Sequence, residues 1–102
     1  PRLKAGLELA GLGNAQADMP ALEARIAADA QDHAARYALA EGYIARGQLA
    51  EAAEALLASL MRDLTWEDGK ARALLLKLFD AKGATDPFTL KYRRRLSSLL
   101  FS

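Results

Sequence analysis

Apolar residues recur along the chain at intervals of three and four, the spacing that places them on one face of an α-helix. The segment 49–63 shows this most clearly, because Glu51 and Glu54 point away from one apolar face. The residues of that face are Leu49, Ala52, Ala53, Leu56, Leu57 and Leu60. The chain contains no Val and few other β-branched residues, so little in it favours a strand. The pattern predicts an all-α domain with six helices, near 2–12, 18–28, 32–46, 49–63, 66–82 and 87–100.

The residues that begin and end helices agree with these limits. Gly13, Gly47 and Gly83 each follow a periodic segment, where a C-cap glycine is expected. Predicted helix starts carry residues that cap an N-terminus, and these are Asp18 with Pro20, Asp32, Thr65 with Asp68 as a capping box, and Asp86 with Pro87.

The six helices repeat as hairpins. A shift of 34 residues superposes Gly13 on Gly47 and Leu22 on Leu56, and a further shift of 36 carries Gly47 to Gly83. We therefore expect three antiparallel hairpins that stack with the same handedness. The residues expected in the core are Leu39, Tyr43, Leu56, Leu60, Leu75, Phe79, Tyr92 and Leu96.

The period of 34 residues resembles that of the tetratricopeptide repeat. The middle repeat carries the family's pattern as Leu39-Ala40-x2-Tyr43, then Gly47, then Ala52-x3-Leu56, and it departs from the pattern at Arg36 and Leu64. The resemblance implies a peptide-binding groove lined by the first helix of each hairpin. By repeat spacing the groove positions are Leu3, Leu7, Tyr37, Glu41, Ile44, Ala73 and Lys77.

This groove is expected to be more apolar than polar. Tetratricopeptide repeats that grip a terminal carboxylate need Asn and Lys in the groove, and the only Asn here is Asn14, at a turn. The composition suits exposed hydrophobic segments of a non-native client protein. The alternative is that Tyr37, Glu41, Ile44 and their neighbours merely pack between hairpins.

The second half of the chain also resembles a particular kind of repeat domain. The segment 60–72 and the closing segment 91–101 resemble the C-terminal domain of the chaperedoxins, thioredoxin-like co-chaperones of bacteria. The resemblance implies that 1–102 is a single helical domain of a longer cytoplasmic chain with an N-terminal thioredoxin-like domain. It also implies holdase activity toward non-native clients, with the last helix contacting a chaperonin.

The last helix is expected to have two apolar surfaces. At 100° per residue, its larger surface takes up an arc of about 120°, formed by Phe88, Tyr92, Leu96, Leu99 and Leu100. Leu90 and Phe101 fall on the other side, with Arg94 beside them. We expect this smaller surface to be the docking site, with ordinary scattered exposure as the alternative.

Composition excludes several function classes. The 102 residues include 14 Lys and Arg, 13 Asp and Glu, and no Cys, so thiol chemistry is excluded and the net charge of +1 disfavours nucleic-acid binding. No apolar run is long enough for a membrane span. His33 and Trp66 are expected to be structural residues, with ligand stacking as the alternative for Trp66. The four cations of 91–95 are expected to form a solvated helix face, with a basic contact for an acidic partner as the alternative. We therefore expect no enzyme, metal or cofactor site, and the main alternative to client binding is an oligomerisation scaffold.

Overall fold

The computed structural model describes residues 17–101, which contain five α-helices and no β-strand. The helices are α1 (Met19–Ala28), α2 (His33–Ala45), α3 (Leu49–Arg62), α4 (Lys70–Lys82) and α5 (Pro87–Phe101), with a short 3₁₀ turn at Trp66–Asp68 before α4. The predicted all-α stack is confirmed. The first predicted helix, 2–12, and the groove positions Leu3 and Leu7 lie outside the described residues.

Most predicted helix starts are confirmed by the geometry of their N-terminal caps. The Asp18 and Asp32 carboxylates accept hydrogen bonds from the backbone N–H groups three residues later, at 3.2 and 2.9 Å. Asp86 accepts from the N–H of Phe88 at 2.8 Å, and Pro87 occupies the first position of α5. These side chains satisfy N–H groups that have no partner within the helix.

The predicted start of the fifth helix at residue 66 is wrong, and so is the capping box formed by Thr65 and Asp68. The Thr65 hydroxyl donates to the Asp63 carboxylate at 2.7 Å, and its backbone N–H donates to the same oxygen at 2.9 Å. Because Asp63 competes for these donors, the chain turns here instead of starting a helix. Residues 67–69 then have positive φ, and α4 begins at Lys70.

The core lies around α3, which packs against α2, α4 and α5. Seven of the eight predicted core residues are buried, and the eighth, Tyr43, is half-buried against the same core. Small residues on facing helices, such as Ala40 in α2 and Ala52 in α3, are fully buried and allow the helices to approach closely. Removing a buried Leu side chain at this centre, as in Leu56→Ala, is expected to cost about 2–5 kcal/mol.

Polar groups inside the stack are paired. His33 is buried, and its Nδ1 lies 2.7 Å from the Ser59 Oγ across the α2–α3 interface. Among residues 17–101, no buried side-chain nitrogen or oxygen lacks a hydrogen-bond partner. His33 is therefore a packing residue, as the sequence indicated. Within the same range, none of the helices has the length and apolar character needed to cross a membrane.

Candidate protein-binding face

A tryptophan, a tyrosine and a lysine meet where the N-terminus of α4 faces α2. The ring centroids of Tyr37 and Trp66 are 5.7 Å apart, and the Lys70 Nζ lies 4.6 Å from the Tyr37 centroid and 5.8 Å from that of Trp66. These distances allow cation–π contact with both rings. We call these three residues the aromatic–lysine cluster.

The turn before α4 positions this cluster. Glu67, Asp68 and Gly69 have φ values of 50°, 58° and 85°, so three consecutive residues are left-handed. Such a turn reverses the chain within a few residues, and it leaves the Trp66 ring 5.9 Å from that of His33 in α2. Trp66 therefore packs the turn before α4 against the preceding hairpin, as expected, and it remains half-buried.

A carboxylate borders the cluster on the α2 side. Glu41 lies one helical turn after Tyr37 and is half-buried. Burial raises the pKa of Glu41, and the nearby Lys70 charge opposes that shift. Burial also raises the pKa of Tyr37, and the Glu41 charge adds to the effect. The face therefore combines two partly exposed rings, one cation and one incompletely solvated anion.

The other predicted groove residues lie outside the aromatic–lysine cluster, and they differ in how exposed their side chains are. Ile44 is half-buried and packs against the core, as Tyr37 does. Ala73 and Lys77 are exposed on α4, and the Lys77 ammonium forms no ion pair within residues 17–101. Lys77 lies seven residues after Lys70, about 10 Å along the helix axis. Tyr37, Glu41, Ile44 and Lys77 therefore all stay predicted binding residues.

Lys70 was not among the predicted groove residues, and Trp66 was expected to pack against the preceding hairpin, with ligand stacking as the alternative. Repeat spacing carries Tyr37 to Ala73, which places the groove one helical turn further along α4. The three left-handed residues directly before α4 precede Lys70, and repeat spacing gives no information about such a turn. The Asp-Gly pair at 68–69, typical of turns, was the one sequence signal that could have located it.

The second predicted surface lies on α5. Leu90 is 50% exposed and Phe101 is 84% exposed, so the predicted exposure of both is confirmed. They are eleven residues apart, about 16 Å along the helix axis, and Arg94 lies between them. This makes an extended stripe with separated apolar groups.

The basic run of α5 is largely occupied by contacts within the domain. Lys91 lies 5.0 Å from the Tyr92 ring, the Arg93 guanidinium lies 5.4 Å from the Phe79 ring, and Arg95 pairs with Glu54. In the described part of the chain, the Arg94 guanidinium alone of these four cations makes no such contact. All four cations are nevertheless exposed, so the run is a solvated helix face, as predicted, with Arg94 available to a partner.

Nothing in residues 17–101 suggests a metal centre, since no three His, Cys, Asp or Glu side chains are grouped to hold one there. Comparison with protein families gives one finding for this chain. A family model described as tetratricopeptide repeat matches residues 13–101. No curated protein matches the sequence.

Proposed function

Because the chain belongs to the tetratricopeptide repeat family, we propose that it binds a segment of a partner protein on the face formed by α2 and α4. Domains of this family are typically non-catalytic protein-interaction modules, and no enzyme family is indicated. The observation that carries the proposal is the aromatic–lysine cluster. Its two rings are only half-buried, although they are among the largest side chains in the domain.

The cluster offers a partner segment three kinds of contact. The exposed parts of the Tyr37 and Trp66 rings can cover apolar side chains, and aromatic residues supply contact area at a small entropy cost. Lys70 can bind a partner carbonyl or carboxylate beside the rings. The Glu41 carboxylate, incompletely solvated, can accept hydrogen bonds from the N–H groups of an extended backbone. Such contacts favour exposed, unfolded segments with large apolar residues.

We further propose that the partners are non-native clients and that the domain belongs to a chaperedoxin-like co-chaperone. The support is the resemblance of 60–72 and 91–101 to that family, together with a face suited to unfolded segments. On this proposal the parent is a cytoplasmic protein with a thioredoxin-like domain. The exposed Leu90, Arg94 and Phe101 would dock onto a chaperonin, leaving the α2–α4 face for the client.

Aggregation of a denatured test protein, followed by light scattering, tests the client proposal. The chain in several-fold molar excess should slow aggregation, and Lys70→Glu should remove most of this effect because it reverses the charge beside both rings. Glu is favourable at the N-terminus of a helix, so the variant should stay folded. Arg72→Gln, another exposed cation of α4, is the matched control. Equal protection by all three chains, or protection by none, would contradict the proposal.

The alternative is a scaffold domain that assembles with itself. Met61 is 66% exposed and Phe101 is 84% exposed, so apolar surface is available for self-association. Light scattering of the purified chain distinguishes the two functions. A scaffold should form oligomers at micromolar concentration, whereas a client-binding domain should remain monomeric until an unfolded partner is added.

A further inference from the structure

A second open groove lies between α3 and α5, the second helices of the two described hairpins. It has a volume of about 750 Å³. Five apolar residues line it, and these are Leu57, Leu60, Met61, Leu64 and Leu99. Met61 and Leu64 are 66% and 40% exposed, so the groove presents apolar surface to solvent. It is separate from the aromatic–lysine cluster, which lies on the first helices α2 and α4.

The polar lining of this groove is mainly cationic. Arg62, Arg94 and Arg95 line it with a single acid, Asp63, for a formal net charge of +2. Arg95 is paired with Glu54, and the Asp63 carboxylate accepts two hydrogen bonds from Thr65. The guanidinium of Arg94 has no hydrogen-bond or ion-pair partner within residues 17–101, and Arg62 uses one nitrogen, donating to the Ala58 carbonyl at 2.8 Å. The guanidinium groups of Arg62 and Arg94 therefore still have N–H donors available for a ligand.

A fourth cation, Arg36, lies near Arg62 outside the groove lining. Burial lowers the pKa of Arg36 in α2, and the positive charge of Arg62 lowers it further. The Arg36 guanidinium itself donates to the Ala30 carbonyl, so Arg62 and Arg94 are the groups left to bind an anion at the groove. Arginine is also the side chain best suited to bind a carboxylate through two parallel hydrogen bonds.

From this lining we propose that the α3–α5 groove binds an acidic amphipathic helix of a partner protein. The apolar face of that helix covers Met61 and Leu64, and its flanking carboxylates pair with Arg62 and Arg94. The chain's own residues 1–16 have the wrong charge, because they carry Arg2 and Lys4 against Glu8. The proposal concerns a third surface, which shares Arg94 with the stripe on α5, and it holds whether or not the α2–α4 face binds clients.

A fluorescently labelled peptide of Leu and Glu, about four helical turns long, tests this by anisotropy with the full chain. A matched peptide with Lys in place of each Glu is the control ligand. The acidic peptide should bind, and the basic one should not. Arg62→Gln with Arg94→Gln should weaken binding at least about tenfold, and added salt should weaken it too. Arg72→Gln should change nothing.

Three outcomes would overturn the proposal. The first is equal binding of the two peptides, and the second is full binding by the double arginine variant. The third is dimerisation in sedimentation that Met61→Glu abolishes, since the groove would then be filled by a second copy. If Lys70→Glu abolishes peptide binding instead, the peptide occupies the α2–α4 face, and the proposed groove is wrong while the proposed function stands. Failure of client binding alone leaves the groove assignment intact.

Discussion

The His33 side chain in α2 is hydrogen-bonded to that of Ser59 in α3, with 2.7 Å between Nδ1 and Oγ in a buried interface. The two residues are 26 positions apart, so the bond joins the two helices of one hairpin at a fixed register. The same imidazole lies against the Trp66 ring. The bond therefore helps to fix the imidazole against which the Trp66 ring of the candidate binding face packs.

Replacing Ser59 with Ala should lower the free energy of unfolding by about 1–3 kcal/mol, because the His33 nitrogen would be left buried without a partner. Ser97→Ala, at an exposed position of α5, should change it by less than about 0.5 kcal/mol. Urea unfolding of the three chains measures the difference. Equal midpoints would show that the hydrogen bond contributes nothing.

Replacing Glu67 with Gly should stabilise the domain by up to about 1 kcal/mol. Glu67 has a φ of 50°, a conformation that costs energy for residues with a Cβ and almost none for Gly. The control is Glu23→Gly in the middle of α1, where Gly should instead cost about 1 kcal/mol. Thermal melts show whether each substitution raises or lowers the melting temperature. Destabilisation by both substitutions would show that the turn is not left-handed.

Glu54 should make a pH-dependent contribution to stability. The Arg95 hydrogen bond lowers the pKa of Glu54, with a further contribution from the Tyr92 hydroxyl, which donates to it at 3.1 Å. A carboxylate with a lowered folded-state pKa stabilises the fold above its ordinary pKa, and this contribution is lost as the pH falls through the lowered value.

Glu54→Gln should therefore reduce stability at neutral pH by about 0.2–1 kcal/mol, since both partners are roughly half exposed to solvent. The difference from the parent chain should disappear in acid below the lowered pKa. Urea titrations at several pH values measure it, with Glu23→Gln as the control. A difference that persists unchanged in acid would rule out the charge of Glu54 as its cause.

The next prediction concerns the proposed docking stripe on α5, where substitutions should change binding and leave stability nearly unchanged. Leu90→Ser with Phe101→Ser should leave the melting temperature nearly unchanged, because both side chains are largely exposed. Co-sedimentation with a chaperonin should weaken, since each apolar group would otherwise contribute roughly 1.5–3 kcal/mol on full burial. Undiminished co-sedimentation, or unfolding several degrees earlier, would rule out the docking stripe.

Local sequence patterns predicted most of the fold because the helices obey local rules. The 3.6-residue period located α3 to within a residue, and Asp18, Asp32 and Asp86 marked helix starts because a short acidic side chain can cap only there. The same rule failed at Thr65. The nearer carboxylate of Asp63 took the hydroxyl and the backbone N–H, and pattern rules carry no information about such a competition.

The candidate site was predictable only in part, since it depends on contacts between distant residues. Repeat spacing identified Tyr37 and Glu41, which do lie together on α2. Lys70 was missed because three left-handed residues shift the register of α4 relative to the repeat. The α3–α5 groove was missed for a similar reason, since the distance between two helices follows from packing and not from the period of either.

Trp66 is the only tryptophan of the chain, so its fluorescence tests the central claim most directly. The full chain is titrated with a tryptophan-free, chemically unfolded test protein while emission and acrylamide quenching are recorded. We expect a saturable blue shift and reduced quenching, with affinity about tenfold weaker for Lys70→Glu and unchanged for Arg72→Gln. Binding seen by anisotropy of the labelled test protein, with no change at Trp66, would contradict the claim that clients occupy the α2–α4 face.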